Sequence, residues 1–164
     1  MPNSLTGRKA IVVTVSDRCS AGTQVDLSGP AVAETLRAAG MDILAIRVVA
    51  DEREAIAALL LSCSSEAALV MTTGGTGLAP RDVTPEATAE VCERLVPGLA
   101  ERIRAEGVKE TPFAALGRGL CGARGKCLII NLPGSPRGAV NAAHAVLPLL
   151  EHALDLLNGQ TQHG

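Results

Sequence analysis

The sequence ALVMTTGGTG, residues 68 to 77, decides the fold class because a short apolar run stops abruptly at a glycine-rich loop. A run of this length and composition predicts a strand buried on both faces, as in a parallel sheet. Three other runs have the same character: Lys9 to Val15 (KAIVVTV), Ile43 to Val49 (ILAIRVV) and Lys126 to Leu132 (KCLIINL). The sequence therefore predicts four strands of one sheet, the third of them covering Ala68 to Thr73.

Helical signals lie between these strands. The predicted helices run from a capping Ser28 to Gly40, from Asp51 onward, from Pro85 onward, from Pro97 to Gly107, and from Ser135 to Leu157 with a kink at Pro148. Strands that alternate with helices imply right-handed crossovers and hence a parallel sheet between layers of helices. We therefore expect one α/β domain that covers residues 1–164.

Composition limits the classes of function. The chain has 164 residues, a net charge of −2 and a single aromatic residue, Phe113, so a nucleic-acid partner is not expected. No apolar stretch reaches the ~18 residues that span a bilayer, and the first residues lack the apolar run of a signal peptide, so no membrane partner is expected. The five cysteines include no C-x-x-C pair and are expected to be reduced thiols, which favours a cytoplasmic protein.

The expected ligand site lies at one edge of the sheet. In open α/β sheets, ligands bind beyond the carboxyl ends of the strands. Four loops follow predicted strands there: Ser16 to Gly29, Ala50 with Asp51, Gly74 to Val83, and Pro133 to Arg137. Because the polar and glycine-rich clusters fall in these loops, we expect them to build one site.

The loop from Thr72 to Gly77 can hold a phosphate, because backbone without Cβ atoms approaches an anion closely and its N–H groups can point inward. A bare tight turn is an equal alternative, since the P-loop lysine and the dinucleotide-binding spacing are absent. Asp82 follows shortly afterwards, and a carboxylate beside a phosphate cradle is typical of a bridging Mg²⁺. Asp82 could also be a simple turn residue.

Asp51 has two interpretations. With Glu54 three residues later it resembles an acidic capping box, which would explain the residue by helix capping alone. Its place at the end of a strand also lets it share a divalent ion with Asp82 and orient a triphosphate.

The two remaining loops supply further polar groups. Ser16, Asp17 and the stretch Asp26 to Gly29 could bind a second anionic group, although a plain capped loop explains them nearly as well. Asn131 could line the site or be a satisfied buried amide. Arg118, Arg124 and Lys126 could contact an anionic ligand, although a solvated loop is the commoner explanation of such a segment, and their role is left open. His144, His152 and His163 are given no catalytic or metal role.

Five motifs in this order resemble the molybdenum-cofactor biosynthesis proteins of the Mog type, which include the G-domain of gephyrin. They are TVSDR at 14–18, DLSGP at 26–30, TTGGTG at 72–77, PRDVTPEA at 80–87 and NLPGSP at 131–136. The resemblance covers essentially the whole chain. It implies a three-layer α/β/α sandwich with a mainly parallel sheet, a homotrimer, and a molybdopterin adenylyltransferase that uses Mg-ATP to adenylylate the molybdopterin phosphate and releases pyrophosphate.

The resemblance also assigns roles to residues. It implies that Asp51 and Asp82 are the catalytic carboxylates and the Mg²⁺ ligands. The residues expected to bind substrate or phosphate are Ser16, Asp17, Ser28, Gly29, Thr73, Gly74, Gly75, Thr76, Gly77, Asn131, Pro133, Gly134 and Ser135. One departure is Ala50, where many members have proline before the aspartate.

Two alternatives to an enzyme stay open. A non-catalytic molybdopterin-binding carrier of the MoaB-like branch would share the glycine loop, although the full Arg-Asp-Val-Thr-Pro string at 81–85 favours the catalytic branch. A structural assembly protein would need a linker and a second oligomerising domain, which are not seen in this sequence. A molybdate-insertion protein and molybdopterin synthase are the protein partners that the resemblance suggests.

Overall fold

The computed structural model describes residues 5–161. Its strands are β1 (Lys9–Val15), β2 (Asp42–Val49), β3 (Leu69–Thr73), β4 (Arg94–Leu95), β5 (Cys121–Arg124) and β6 (Cys127–Leu132). Its helices are α1 (Asp17–Ser20), α2 (Ser28–Ala38), α3 (Arg53–Glu66), α4 (Thr84–Val91), α5 (Pro97–Gly107) and α6 (Pro136–Leu157), with a 3₁₀ segment at Pro112–Leu116. The α6 helix continues through Pro148.

The six strands form one sheet in the order β2-β1-β3-β6-β5-β4. The four predicted strands are confirmed, and β2, β1, β3 and β6 are mutually parallel. Within the sheet, β2 lies on one flank of β1 and β3 lies on the other, so the chain reverses the direction in which it adds strands. This reversal of direction between β1 and β3 is a topological switch point, where α/β sheets open a crevice for ligands.

Apolar strand residues alternate between the two faces of the sheet, which produces two hydrophobic cores. One face packs Val12, Met71 and Ile130 beneath α2, α5 and α6. The other face packs Ile11 and Ile129 beneath α3 and α4. Both cores are aliphatic and tightly buried, so the three-layer α/β/α sandwich expected from the sequence is confirmed.

The interpretation of residues 117–126 as a solvated loop is wrong in part. Residues Cys121 to Arg124 form β5, which pairs antiparallel with β6 and in turn with the short β4. The register pairs Arg124 with Cys127, which leaves Gly125 and Lys126 as a two-residue hairpin turn, and Gly125 has the positive φ (+56°) that such turns favour. A four-residue strand containing glycine and arginine lacks the apolar alternation that reveals longer strands.

Two expected helix caps are also wrong. The α2 helix includes Ser28, and its flanking Leu27 gives no side-chain cap; instead Asp26 Oδ1 accepts from the Gly29 N–H at 3.0 Å. The α3 helix begins at Arg53 after Glu52, again without a side-chain cap, so the expected capping box of Asp51 and Glu54 does not form.

The cysteines are free thiols, as expected. Cys63, Cys121 and Cys127 are buried in the cores, and burial raises the pKa of the Cys121 and Cys127 thiols to about 12. Among residues 5–161, no helix is both long and apolar enough to cross a membrane.

Candidate functional site at the carboxyl ends of the strands

The glycine loop that follows β3 has a backbone that only glycine adopts without strain. Gly74 and Gly75 have φ values of +90° and +68°. A Cβ on Gly74 would clash with the Val15 carbonyl oxygen, and one on Gly75 with Thr84 Oγ1. Thr84 holds the loop from the start of α4, because its Oγ1 donates to the Gly74 carbonyl (3.0 Å) and its N–H donates to the Gly75 carbonyl (3.1 Å).

Three successive N–H groups of this loop have no acceptor among the residues that the structure describes. Within the part of the chain that the structure describes, no acceptor pairs with the N–H groups of Gly75, Thr76 or Gly77, whereas the Gly74 N–H donates to the Leu132 carbonyl at 3.2 Å. Successive amides without acceptors at the end of a strand form a concave anion site. The arrangement fits a phosphate group.

Asp82 lies directly against this loop. Its Oδ2 accepts from the Ala79 N–H at 3.0 Å and occupies the space that a Cβ on Gly77 would enter, 2.8 Å away. The side chain therefore needs glycine at position 77 in order to approach the loop. The spacing from the glycine loop to Asp82 predicted a carboxylate beside the cradle, and the structure brings the two together.

Asp51 and Asp17 join the loops that follow β2 and β1. Asp51 Oδ2 accepts from the Asp17 N–H, and Asp17 Oδ1 accepts from the Asp51 N–H, each at 2.9 Å. Asp17 is also bound by Arg81 through two hydrogen bonds of 2.6 and 3.0 Å. Asp51 thus ties two loops together and does not cap α3.

The pKa values of Asp17 and Asp51 are shifted in opposite directions. The guanidinium of Arg81, aided by the Asp51 N–H, holds the pKa of Asp17 below its ordinary value. Burial raises the pKa of Asp51, and the negative charges of Asp17 and Asp82 add to that increase, although the Asp17 N–H opposes it. Asp51 Oδ1 and Asp82 Oδ2 both lie against the glycine loop, 3.1 Å from a Cβ placed on Gly75 and 2.8 Å from one placed on Gly77, and a cation bound beside them would offset their negative charges.

The carboxylates suit Mg²⁺ only together with ligands from a substrate. No group of three or more His, Cys, Asp or Glu side chains within residues 5–161 is arranged to hold a metal ion. Mg²⁺ is usually bound by one or two carboxylates together with substrate phosphates and water. Asp51 and Asp82 beside an anion cradle match this pattern.

The predicted hydroxyls of the first loop hold the site together. Ser16 Oγ accepts from the Cys19 N–H (3.1 Å), and Ser28 Oγ lies 2.9 Å from Thr73 Oγ1. Gly29 has no room for a side chain, because a Cβ would clash with the bonded pair of Thr14 and Asp26. A cavity of about 250 Å³ between the loops is lined by Ser16, Ser28, Thr73, Gly74 and Gly134, among others.

The loop after β6 is the fourth loop at the carboxyl ends of the strands. Gly134 lies against Gly74, with 3.2 Å between an added Cβ and the Gly74 Cα, and Ser135 Oγ caps α6 by accepting from the Gly138 N–H (3.1 Å). Asn131 is 3% exposed and donates to Thr72 Oγ1 (3.0 Å) and Thr88 Oγ1 (2.9 Å). Its oxygen accepts from the Leu120 N–H (3.0 Å), so its amide is fully used inside the protein.

A second cavity, of about 300 Å³, opens on the other side of the glycine loop and is mostly apolar. Thr76, Gly77, Pro133 and Ser135 line one wall, and α5 with the 3₁₀ segment forms the other. Sequence reasoning missed that second wall, which includes Ile103, Arg104, Thr111, Phe113 and Gly117. Its residues are mostly apolar or small and lie about 30 positions from the glycine loop, so no local motif marks them.

Sequence reasoning also missed two arginines. Arg81 was quoted only as a neighbour of Asp82, yet it binds Asp17 across the site. Arg118 was left outside the expected site, as a residue of a solvated loop or a contact to an anion, yet it bonds to the carbonyls of Gly77 and Asp82. In both cases the partner lies in another loop, where sequence spacing gives no signal.

The fold and the site define a doubly wound α/β protein with an anion-binding glycine loop and paired carboxylates at the switch point of its sheet. The sequence profile of a family described as "Probable molybdopterin binding domain" matches residues 11–152. This chain belongs to that family, and the resemblance inferred from its motifs is confirmed.

Individual relatives extend over most of the chain. A molybdopterin adenylyltransferase of Helicobacter pylori J99 is 43% identical over 152 residues, which cover 90% of this chain and 86% of the relative. A molybdenum cofactor biosynthesis bifunctional protein of Synechococcus elongatus is 40% identical over 98% of this chain and 50% of its own length. The crystal structure of the molybdopterin biosynthesis enzyme MoaB from Thermus thermophilus superposes with a TM-score of 0.87. The match covers 93% of this chain and 97% of that one, with 46% sequence identity.

Proposed function

We propose that this chain is a nucleotidyltransferase that adenylylates the phosphate of molybdopterin with Mg-ATP and releases pyrophosphate. The observation that carries the proposal is that Asp51 and Asp82 both lie against the glycine loop, whose N–H groups at 75–77 have no acceptor among residues 5–161. The Helicobacter pylori relative, whose name states this activity, matches over 90% of the chain and supports the same interpretation.

In the proposed reaction, a molybdopterin phosphate oxygen attacks the α-phosphorus of ATP. A new O–P bond forms as the bond from the α-phosphorus to the bridging oxygen breaks, and pyrophosphate leaves with that oxygen. The N–H groups of Gly75, Thr76 and Gly77 bind phosphate oxygens and fix the direction of attack. Catalysis is mainly positioning and charge neutralisation, because phosphoryl-type transfer requires little covalent chemistry from the protein.

Asp51 and Asp82 are the residues proposed to hold Mg²⁺ together with the ATP phosphates. When bound, the ion neutralises phosphate charge. Asp17 serves this group by holding Asp51 in place, because its carboxylate is already bonded to Arg81 and to the Asp51 N–H. The remaining predicted residues, Ser16, Ser28, Gly29, Thr73, Asn131, Pro133, Gly134 and Ser135, are proposed to shape the loops and the cavity walls.

Two cavities flank the glycine loop, with volumes of about 250 and 300 Å³. A nucleotide and a pterin each carry a ring system and a phosphate. We propose that the two ring systems occupy the two cavities, so that their phosphates meet at the loop between them.

The wider setting of the enzyme is also part of the proposal. Its free thiols suit a reducing compartment, which supports a cytoplasmic location for a domain spanning residues 1–164. The motif resemblance supports a homotrimer. The bifunctional relative, of which this chain matches half, supports contact with another protein of the same biosynthesis, such as a molybdate-insertion protein or molybdopterin synthase.

The Asp82→Asn variant tests the proposed chemistry. It keeps the shape of the side chain but removes its charge, so we expect turnover to fall by about 10²-fold or more while molybdopterin binding and the melting temperature change little. Asp42→Asn makes the same replacement at the exposed start of β2, at the opposite edge of the sheet, and should leave turnover unchanged.

Unchanged turnover in Asp82→Asn would remove Asp82 from the mechanism. If the unmodified protein binds molybdopterin tightly but forms no adenylylated product, the carrier alternative replaces the enzyme.

A further inference from the structure

Arg118 follows the 3₁₀ segment and contacts the loop between β3 and α4. Its Nε–H donates to the Gly77 carbonyl and one Nη donates to the Asp82 carbonyl, both at 2.8 Å. Its backbone N–H also donates to the Thr76 carbonyl at 2.8 Å. One residue therefore contacts the phosphate-cradle end and the carboxylate end of the same loop.

Glu86, on the first turn of α4, holds the guanidinium in this position. The two Nη atoms of Arg118 make three hydrogen bonds to the Glu86 carboxylate, each 3.0 Å long. Together with the two carbonyl bonds, these contacts direct the Nε and both Nη atoms of Arg118 toward acceptors of the protein itself. Arg118 thus acts on the backbone of the loop and on Glu86, which gives it a role distinct from that of a catalytic residue.

We propose that Arg118 is a positioning residue that sets the distance and orientation of Asp82 relative to the N–H groups of the glycine loop; this proposal rests on the proposed adenylyl transfer at that site. Residues 78–83 contain no helix or strand. Within that segment the Asp82 side chain and backbone bond only to Ala79, so its own contacts do not tie it to Gly77. Arg118 supplies that tie by bonding to both carbonyls at once.

Lysine cannot replace this geometry. Its ammonium group is a point donor at the end of a flexible chain, whereas the planar fork of arginine reaches two carbonyls and a carboxylate in fixed directions. Arg118→Lys therefore keeps the charge and the pairing with Glu86 while it loses the tie between Gly77 and Asp82.

The test compares Arg118→Lys with Arg47→Lys, which alters another arginine–glutamate pair, Arg47 with Glu66, remote from the glycine loop. For Arg118→Lys we expect kcat per folded enzyme to fall at least about tenfold. The Kd for molybdopterin should stay within about threefold, and amide hydrogen exchange in residues 75–83 should become faster. Arg47→Lys should change none of these.

Glu86→Gln provides a second variant if Arg118→Lys does not fold. It weakens the anchor without removing the arginine and should produce the same pattern to a smaller extent.

Each outcome decides the proposal. Unchanged kcat in a folded Arg118→Lys would overturn it, even with faster exchange, and so would a loss of kcat that only follows a loss of folded protein. If the unmodified protein forms no adenylylated product, the proposed function fails, and the exchange of residues 75–83 then decides alone whether Arg118 holds the loop.

Discussion

Position 75 in the glycine loop accepts only glycine without strain. Its φ of +68° is unfavourable for other residues, and an added Cβ would strike Thr84 Oγ1, which anchors the loop to α4. The residue is therefore needed twice, once for the backbone and once for close packing.

Gly75→Ala should lower the free energy of unfolding by about 1–3 kcal/mol because both requirements are violated. Gly98→Ala is the matched control. Gly98 lies in the first turn of α5 with open space around its Cα, so alanine there should be neutral or slightly stabilising. Urea unfolding of both variants measures the difference, and equal stabilities would contradict the account of the loop.

Individual residues also show where sequence reasoning stops. The approach of Asp82 to the glycine loop could be predicted because both belong to one short segment of the chain. The bonds between Asp17 and Asp51 could not, because these residues are 34 positions apart and only the parallel pairing of β1 with β2 brings them together. The local pattern of Asp51 and Glu54 instead suggested a cap that does not form.

At the level of elements, the long apolar strands and their parallel pairing were predictable, whereas the hairpin of β5 and β6 was not. The periodicity of buried strands is a strong signal over about six or seven residues, but β4 has two residues and β5 has four. The missed hairpin matters for the site, because Arg118 lies just before β5 and reaches the loop after β3 from there.

The pair of Arg118 and Glu86 links this hairpin to α4 and makes part of the stability depend on pH. Arg118 lowers the pKa of Glu86 below its ordinary value of 4.5. A carboxyl whose pKa is lowered by folding contributes stability that is present above that ordinary value and is lost as pH falls through the folded pKa.

Glu86→Gln should therefore lose about 0.5–1 kcal/mol of stability at pH 7, a modest value because both side chains are about one-third exposed. Its disadvantage should shrink as the pH falls below 4.5, the ordinary pKa of a glutamate, through the lower pKa of the folded protein. Urea unfolding at several pH values in this range provides the measurement. Parallel stability curves for the variant and the unmodified protein would contradict this pH dependence, and coincident curves would show that the pair contributes nothing.

At the scale of the whole molecule, the topology explains why one site draws on distant segments. The β1 and β3 strands flank the switch point, and β2 and β6 lie immediately outside them, so four loops converge on one crevice. The alternation of strands and helices predicted this edge before any contact was known. The wall formed by α5 and the 3₁₀ segment depends on tertiary packing and could not be predicted from local patterns.

The central claim is that this crevice brings a nucleotide and the molybdopterin phosphate together for adenylyl transfer. The most direct test is to incubate the protein with molybdopterin, ATP and Mg²⁺ and to detect adenylylated molybdopterin by mass. The account predicts this product with an equal amount of pyrophosphate, and none when ATP or Mg²⁺ is omitted. Bound molybdopterin that remains unmodified under these conditions would contradict it.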